Sequence, residues 1–298
     1  MHTLTEEFEA ERPRLRAVAY RMLGSLAEAD DAVQEAWLRA DQAGVGGVRN
    51  VPGWLTTIVG RVCLNLLRAR QSRPELALSE PALSELRLPD PVVSPAAGPD
   101  PEQQALLADA VGFALLVVLG SLTPDERLAF VLHDMFAVPF DDVAALLERT
   151  PAAARQLASR GRRRVRDEAP VPEPDLVRQR AAVDAFFAAA RDGDFDALLA
   201  VLHPEVVLRA DGGPGRPHFT VLLRGARDVA GQATGYRSLA GFVMPVLVNG
   251  AAGIVVRAGD RTLAVMAFTV RDGRIATIDV LNDPQRLPNL PIGTAERG

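Results

Sequence analysis

The sequence predicts a multidomain chain: two all-α modules, the second a helix-turn-helix, followed by an α+β domain in which helices accompany a curved antiparallel sheet. Three observations carry that prediction. Apolar residues recur at helical spacing in two blocks, Phe8 to about Arg70 and Glu102 to Glu168. After Asp175 the chain turns to alternating, β-rich segments with turn signals at Asn249-Gly250, Gly259-Asp260 and Asp272-Gly273. Two proline-rich stretches interrupt the pattern and divide the chain into residues 1–70, 71–100, 101–168 and 169–298.

In the first block Leu15, Val18, Ala19 and Met22 form one stripe, and Val33, Ala36, Trp37 and Ala40 form a second. Loop signals at Gly44 to Gly47 and at Pro52 separate the helices. On the second helix Asp31, Gln34 and Glu35 lie opposite Val33 and Trp37; such an acidic face either stays solvated or docks a basic protein. Val51 to Arg70 reads as a third helix with an apolar stripe of Leu55, Ile58, Val62 and Leu66. Trp54, Thr57, Arg61, Asn65 and Arg68 recur on its polar side, a set suited to gripping a nucleic-acid backbone and stacking on unpaired bases. Taken alone, Trp54 is more often a core residue than a base platform.

The stretch from Leu122 to Arg166 carries the strongest local signal. Asp141 to Leu147 has the spacing of a short helix, and Thr150 and Pro151 suit the N-cap and first turn of the next. There Ala154, Leu157, Ala158, Gly161 and Val165 share one face, and Arg155, Ser159, Arg162 and Arg166 share the other. Arg149 to Arg166 contains seven arginines and no acid, in a chain of formal net charge −5. A basic face on the second helix of such a pair fits the major groove of DNA, where arginine bridges phosphates or forks onto guanine.

Composition narrows the remainder. A chain of 298 residues with 48% hydrophobic and 24% charged residues has a globular composition. The single Cys63 permits no internal disulfide, and four scattered histidines lack metal-site spacing, so neither metal nor cofactor is expected. The first residues contain no apolar signal core, and the run Val111 to Leu119 is too short to span a bilayer. A cytoplasmic protein is the expectation.

Beyond Asp175, Val177 to Arg191 and Phe195 to Leu202 read as helices preceding the strands. A domain of this kind with an internal pocket has three uses: a brace, a small-molecule sensor, or an isomerase-, cyclase- or hydrolase-like enzyme. His203, Asp211, Arg224, Tyr236 and Asp279 are its candidate proton-handling groups, but no pair has a spacing that demands catalysis. Turnover is not expected. Asp211 to Gly215 reads as a loop with too little bulk to fill a core.

Several motifs, in order, carry a family resemblance. They are Ala29-Asp-Asp-Ala-Val-Gln-Glu-Ala-Trp-Leu-Arg39, Trp54-Leu-Thr-Thr-Ile58 with Arg61 and Asn65, Leu122-Thr-Pro-Asp-Glu-Arg127, and Ala154-Arg-Gln-Leu-Ala-Ser-Arg160. Together they strongly resemble extracytoplasmic-function sigma factors over roughly the first 168 residues. The resemblance implies an initiation subunit of bacterial RNA polymerase, a monomer when free, that reads promoter elements near −10 and −35 and is not itself an enzyme. It implies that Asp30, Asp31, Gln34 and Glu35 meet the polymerase. It implies that Trp54, Thr57, Arg61, Asn65 and Arg68 face the melted downstream element with the Ala43 to Pro52 loop, and that Arg155, Gln156, Ser159, Arg160 and Arg163 address the upstream duplex.

From about Asp175 the chain resembles the SnoaL-like cone fold that one sigma subgroup carries as a fused domain. Asp211-Gly212-Gly213-Pro214-Gly215 and Asn282-Asp283-Pro284-Gln285-Arg286-Leu287 resemble two motifs of that subgroup, and Leu88-Pro89-Asp90-Pro91 resembles its linker motif. A proline interrupts the glycine run here, and Asp283 and Pro284 stand in reversed order. The resemblance implies regulatory contact among Leu88, Pro89, Asp90, Pro91, Asp211, Gly212, Gly213, Asn282, Asp283 and Pro284. A domain tethered through Ala169 to Pro174 has a high effective concentration for such contacts.

Overall fold

The structure is a computed structural model that describes residues 4–72, 86–96, 112–234 and 242–292. It divides into two compact units, the first built from Met1–Leu76 with Leu115–Ala169, the second from Ala77–Ala114 with Pro170–Gly298. Both helical modules thus fall in one unit, and the described part of the linker, residues 86–96, falls in the other. The linker prolines Pro74, Pro81, Pro99 and Pro101, and the candidate Tyr236, lie outside the described residues.

Three long helices open the first unit: α1 (Leu4–Leu23), α2 (Leu26–Ala43) and α3 (Val51–Gln71). The stripe Leu15, Val18, Ala19 and Met22 is fully buried, as are Ala36 and Ala40, with Val33 nearly so. Trp37 is half-buried and packs its ring 4.9 Å from that of Phe8. Asn50 caps α3 by accepting from the amide of Gly53.

The buried line of α3 runs through Leu55, Val59, Val62, Cys63 and Leu67 rather than through Ile58 and Leu66; Ile58 is half-buried and Leu66 is 39% exposed. The difference has a packing cause. Gly60, also inward, leaves room for Leu128, Leu132 and Leu146 of the second helical module, so a broad face of α3 is covered from two sides.

That module contains α4 (Phe113–Ser121), α5 (Pro124–Phe130) with a π-helical continuation Val131–Met135, α6 (Phe140–Leu147) and α7 (Pro151–Glu168). Thr123 and Glu126 form a capping box at the start of α5, satisfying two orphan amides at once. Glu148 adopts φ 55° to end α6, and Thr150 caps α7 through the Ala153 amide. A side chain at Gly161 would crowd Phe130, so glycine there lets α7 lie close on α5.

The second unit holds α8 (Leu176–Asp192), α9 (Phe195–Val201) and α10 (Ala226–Thr234) with seven strands. These are β1 (Val93–Pro95), β2 (Leu202–Asp211), β3 (Val221–Arg224), β4 (Val243–Val248), β5 (Ala251–Ala258), β6 (Arg261–Arg271) and β7 (Arg274–Leu281), in the order β1-β4-β5-β6-β7-β2-β3. The three turn signals close the β4–β5, β5–β6 and β6–β7 hairpins. Asn249-Gly250 and Asp272-Gly273 take positive φ at both positions, the left-handed geometry that matches the strand twist. One pairing, β2 with β7, is parallel, which the intervening crossover through α10 and β4–β6 allows. The fold class is as expected, with a mixed rather than wholly antiparallel sheet.

Helices cover one face of this sheet. Val183, Phe186, Leu198, Val229, Leu208, Ile254, Phe268 and Ile278 make a continuous apolar core there. Thr269, Thr277, Asp279 and Arg209 alternate to the opposite face.

Burial pushes the thiol of Cys63 up to about 12, outweighing the downward pull of the Arg127 and Arg70 guanidiniums. An aromatic disulfide reagent at pH 8 is therefore expected to leave Cys63 unmodified in the folded protein and to modify it fully in guanidinium. Stoichiometric labelling of the native protein would contradict this packing.

Candidate functional surfaces

The polar face of α2 is open to solvent. Asp30, Asp31, Gln34 and Glu35 are all exposed. Asp30 accepts two hydrogen bonds from Arg16, at 2.5 and 3.0 Å, and Glu35 pairs with Arg39 at 2.8 Å. Asp30, Val33, Gln34 and Trp37 line a cleft of about 370 Å³ beside Arg12 and Arg16. The face is thus acidic, indented, and partly balanced by two arginines of α1.

On α3, Arg61, Asn65 and Arg68 are exposed, whereas Trp54 and Thr57 are half-buried. Thr57 donates its hydroxyl to the carbonyl of Trp54, which fixes that side chain against the first turn. Arg68 pairs with Asp125 of α5 at 2.8 Å. Five residues therefore share one helix side, but not equal freedom.

The solvent face of α7 is basic along its length. Arg155, Gln156, Ser159, Arg160 and Arg163 are exposed, while Ala154, Ala158 and Gly161 are buried. Arg155 lies over the ring of Phe140 with 5.5 Å to its centroid, and Arg162 pairs with Asp134 at 2.6 Å. The first turn of α7 contains no acid, so its positive dipole end adds to the arginine field.

In the second unit the linker motif and the two loop motifs meet. Leu88, Asp90 and Val92 are buried. The Leu88 amide donates to Asp211 Oδ2 at 2.9 Å, and Arg286 donates to Asp90, Asp211 and the Leu88 carbonyl at 2.5 to 3.0 Å. Asn249 accepts from the Val92 amide with its side chain and donates its own amide to the Val92 carbonyl, at 3.1 and 2.8 Å. From there β1 extends the sheet by pairing antiparallel to β4.

Local chemistry aims these groups. Asp283 accepts from the Gln285 amide, turning the chain so that Arg286 points back at the linker. Gly213, at φ 70°, lies so close to Asp283 that a Cβ would collide with the carboxylate, and a Cβ on Gly212 would meet the Arg216 carbonyl. Asp211 also receives the Gly213 amide at 3.0 Å. Pro89, Pro91 and Pro284 hold their positions through fixed φ and bring no donor. Arg286 and Asn249, which hold this joint, stood outside the sequence-derived set; Arg286 was within reach as the one cation in the 282–287 motif.

The candidate proton-handling groups do not converge. Asp211 is taken up by the linker joint, His203 contacts Arg271 at 2.7 Å, and Arg224 is exposed on the edge strand β3. Burial raises the Asp279 pKa, against the pull of Arg209 at 2.9 Å and of Thr277. Its side chain lies on the sheet face away from the helices, while the helix-covered face is apolar. Among the described residues no group of acids, histidines or cysteines has the arrangement of a metal site, and no helix is long and apolar enough to cross a membrane.

The chain is similar to known proteins over nearly its whole length. Residues 8–73 match the family model "Sigma-70 region 2", and residues 113–165 match "Sigma-70, region 4". The chain is 38% identical over 304 residues to the ECF RNA polymerase sigma factor SigJ of Mycobacterium tuberculosis, covering 96% of this chain and 94% of that one. It is 32% identical to a probable ECF RNA polymerase sigma factor, SigI, of the same organism, covering 95% and 94%. The crystal structure of SigJ superposes with a TM-score of 0.73 at 36% identity, covering 97% of this chain and all of that one.

Replacing Arg286 by Ala would leave Asp90 and Asp211 facing each other largely out of water. The expected loss is about 3 kcal/mol in chemical denaturation of the second unit, with faster hydrogen exchange at the Leu88 and Val92 amides. Wild-type exchange at both amides would contradict the joint.

Proposed function

The chain belongs to the extracytoplasmic-function sigma factors of bacterial RNA polymerase, and from that premise we propose a role for each of its surfaces. As a sigma factor it binds core polymerase and promoter DNA and directs transcription initiation. The polymerase takes the α2 face of Asp30, Asp31, Gln34 and Glu35; its exposed acids and adjoining cleft suit a basic helical partner. Trp54, Thr57, Arg61, Asn65 and Arg68 receive the melted downstream element. Arg155, Gln156, Ser159, Arg160 and Arg163 receive the upstream duplex. One observation carries this last assignment: a capped second helix whose exposed face is basic in an otherwise acidic chain.

Size sets a condition on promoter reading. Elements centred near −10 and −35 lie about 25 base pairs apart, about 85 Å along the duplex. A compact body of about 130 residues has a radius of gyration of about 14 Å. While α3 packs on α5 and α6, and Arg68 is held by Asp125, the two readers cannot reach both elements. The two helical modules therefore separate when the promoter is engaged.

The second unit acts in cis by holding the linker motif through Asp211 and the 282–286 turn, which takes residues 88–92 out of the tether between the two modules. We read the cone as non-catalytic, because its helix-covered face is apolar and Asp279, Asp211 and His203 are each engaged elsewhere. The protein works in the cytoplasm, where polymerase resides, and is a monomer when free.

Run-off transcription with purified core polymerase and the chain's own upstream region tests the proposal: specific initiation that requires the protein is expected, and its failure across a promoter panel would overturn it. Arg163→Ala is expected to weaken promoter binding and to lower the slope of log affinity against log salt by about 1; an unchanged slope would remove Arg163 from the interface. Exchanging both Asp31 and Glu35 for Lys is expected to abolish capture of core polymerase while the circular dichroism spectrum stays that of the wild type. Undiminished capture would assign the α2 face to solvent.

A further inference from the structure

The second unit carries a cleft of about 410 Å³ between the β5–β6 hairpin and the segment that follows β7. Its charged wall is unusual for this chain. Arg216, Arg257 and Arg261 line it against a single acid, Asp260, whereas the whole protein has a formal net charge of −5. Arg257 donates one Nη to the Asp260 carbonyl at 3.3 Å, and its Nε is buried with no hydrogen-bond partner among the described residues. Asn282, on the segment after β7, has a buried side-chain oxygen with no partner among the described residues either. Buried polar atoms of this kind are normally satisfied, and the cleft beside them is lined by three guanidiniums with one acid among them, which is the chemistry of a site for an anionic acceptor.

The segment after β7 gives an apolar wall of Leu287, Leu290 and Ile292, and Leu263 adds to the apolar lining from β6. A bare anion would use the arginines and leave that wall wet, and an uncharged hydrocarbon would leave the guanidinium donors unmatched. A carboxylate with a hydrophobic body satisfies both: its two oxygens match the planar guanidinium fork, and its chain covers the leucines. The volume falls in the range of small-molecule sites.

We propose that this cleft binds a small amphipathic carboxylate, with Arg257 and Arg261 taking the head group and Leu263, Leu287 and Leu290 taking the body. The site is distinct from the helix-covered core of the cone and from the α3 and α7 readers. Two of its walls are the loops that hold the linker: Arg216 follows Asp211 to Gly213, and Asn282 and Leu287 flank Asp283 and Arg286. A ligand whose body packs on Leu287 steadies the turn that aims Arg286, so occupancy and linker docking favour each other.

Sodium octanoate is the probe, titrated calorimetrically into the full-length protein. One binding site is expected, with acetate and inorganic phosphate at least about tenfold weaker and octanol, which has the same body without the charge, likewise weaker. Arg261→Gln is expected to weaken octanoate about tenfold at an unchanged circular dichroism spectrum, and Arg257→Gln more, because Arg257 is the less exposed of the two. Equal binding of octanol, or full binding by the double variant, would place the ligand in some other apolar crevice and overturn the site; preferential binding of phosphate would overturn the ligand class. Slower hydrogen exchange at the Leu88 and Val92 amides on octanoate addition is expected, and unchanged exchange with bound octanoate would refute the coupling alone. These readouts involve no polymerase, so their failure leaves the sigma-factor assignment standing, and failure of initiation leaves the cleft standing.

Discussion

Arg286 is the group on which the second unit's hold over the linker depends. Its guanidinium reaches two carboxylates and one backbone carbonyl, while its own side chain is 15% exposed. Asp90 and Asp211, brought together without a cation, would repel in a poorly solvated place; with the cation between them they close a three-way joint. The Asx turn of Asp283 aims the arginine, and glycine at 213 lets the neighbouring loop come close enough to support that turn. Once Leu88 to Val92 is fixed in this way, β1 follows as an added edge strand, its backbone paired to β4. Proline at its end suits an edge, since no further strand needs the missing amide.

A linker ordered by one unit changes what the other unit can do. Chain that is docked as a strand is not available as slack. The first unit joins its two helical modules through the packing of α3 on α5 and α6, an arrangement that the proposed reading of two promoter elements requires to open. Release of that packing requires both the loss of modest contacts, such as the Arg68–Asp125 pair, and enough free chain to let the modules part. Control by the last unit, as proposed, would need no contact with DNA: it would act on the length of the tether.

How much of this was readable in advance follows from the range of the interactions involved. The α7 helix and its basic outer face were legible because their signals are local: Thr150 and Pro151 at its start, small residues at helical spacing inward, arginines outward. The hairpin turns were legible for the same reason, since Asn249-Gly250 and Asp272-Gly273 impose left-handed φ on their own. The buried line of α3 was misjudged at Ile58 and Leu66, because Val59 and Leu67 are selected by helices far away in sequence. The parallel pairing of β2 with β7 has no local signature. The linker joint could be expected only from family resemblance, as its central contact spans 196 positions, and Arg286 itself was not picked out. Asp211 and Asp279 had the chemistry of proton-handling groups in sequence; no local signal told that one contacts the linker and the other lies on the sheet face away from the helices.

Charge exchange across the joint tests the central claim most directly. Run-off transcription would compare the wild type, Arg286→Asp, and Arg286→Asp combined with Asp90→Arg, all as full-length protein with core polymerase. If the second unit governs initiation by holding the linker, the single variant alters promoter output and the exchanged pair restores it toward the wild-type level. Wild-type output from the single variant, at proven loss of linker protection in hydrogen exchange, would contradict control through the tether.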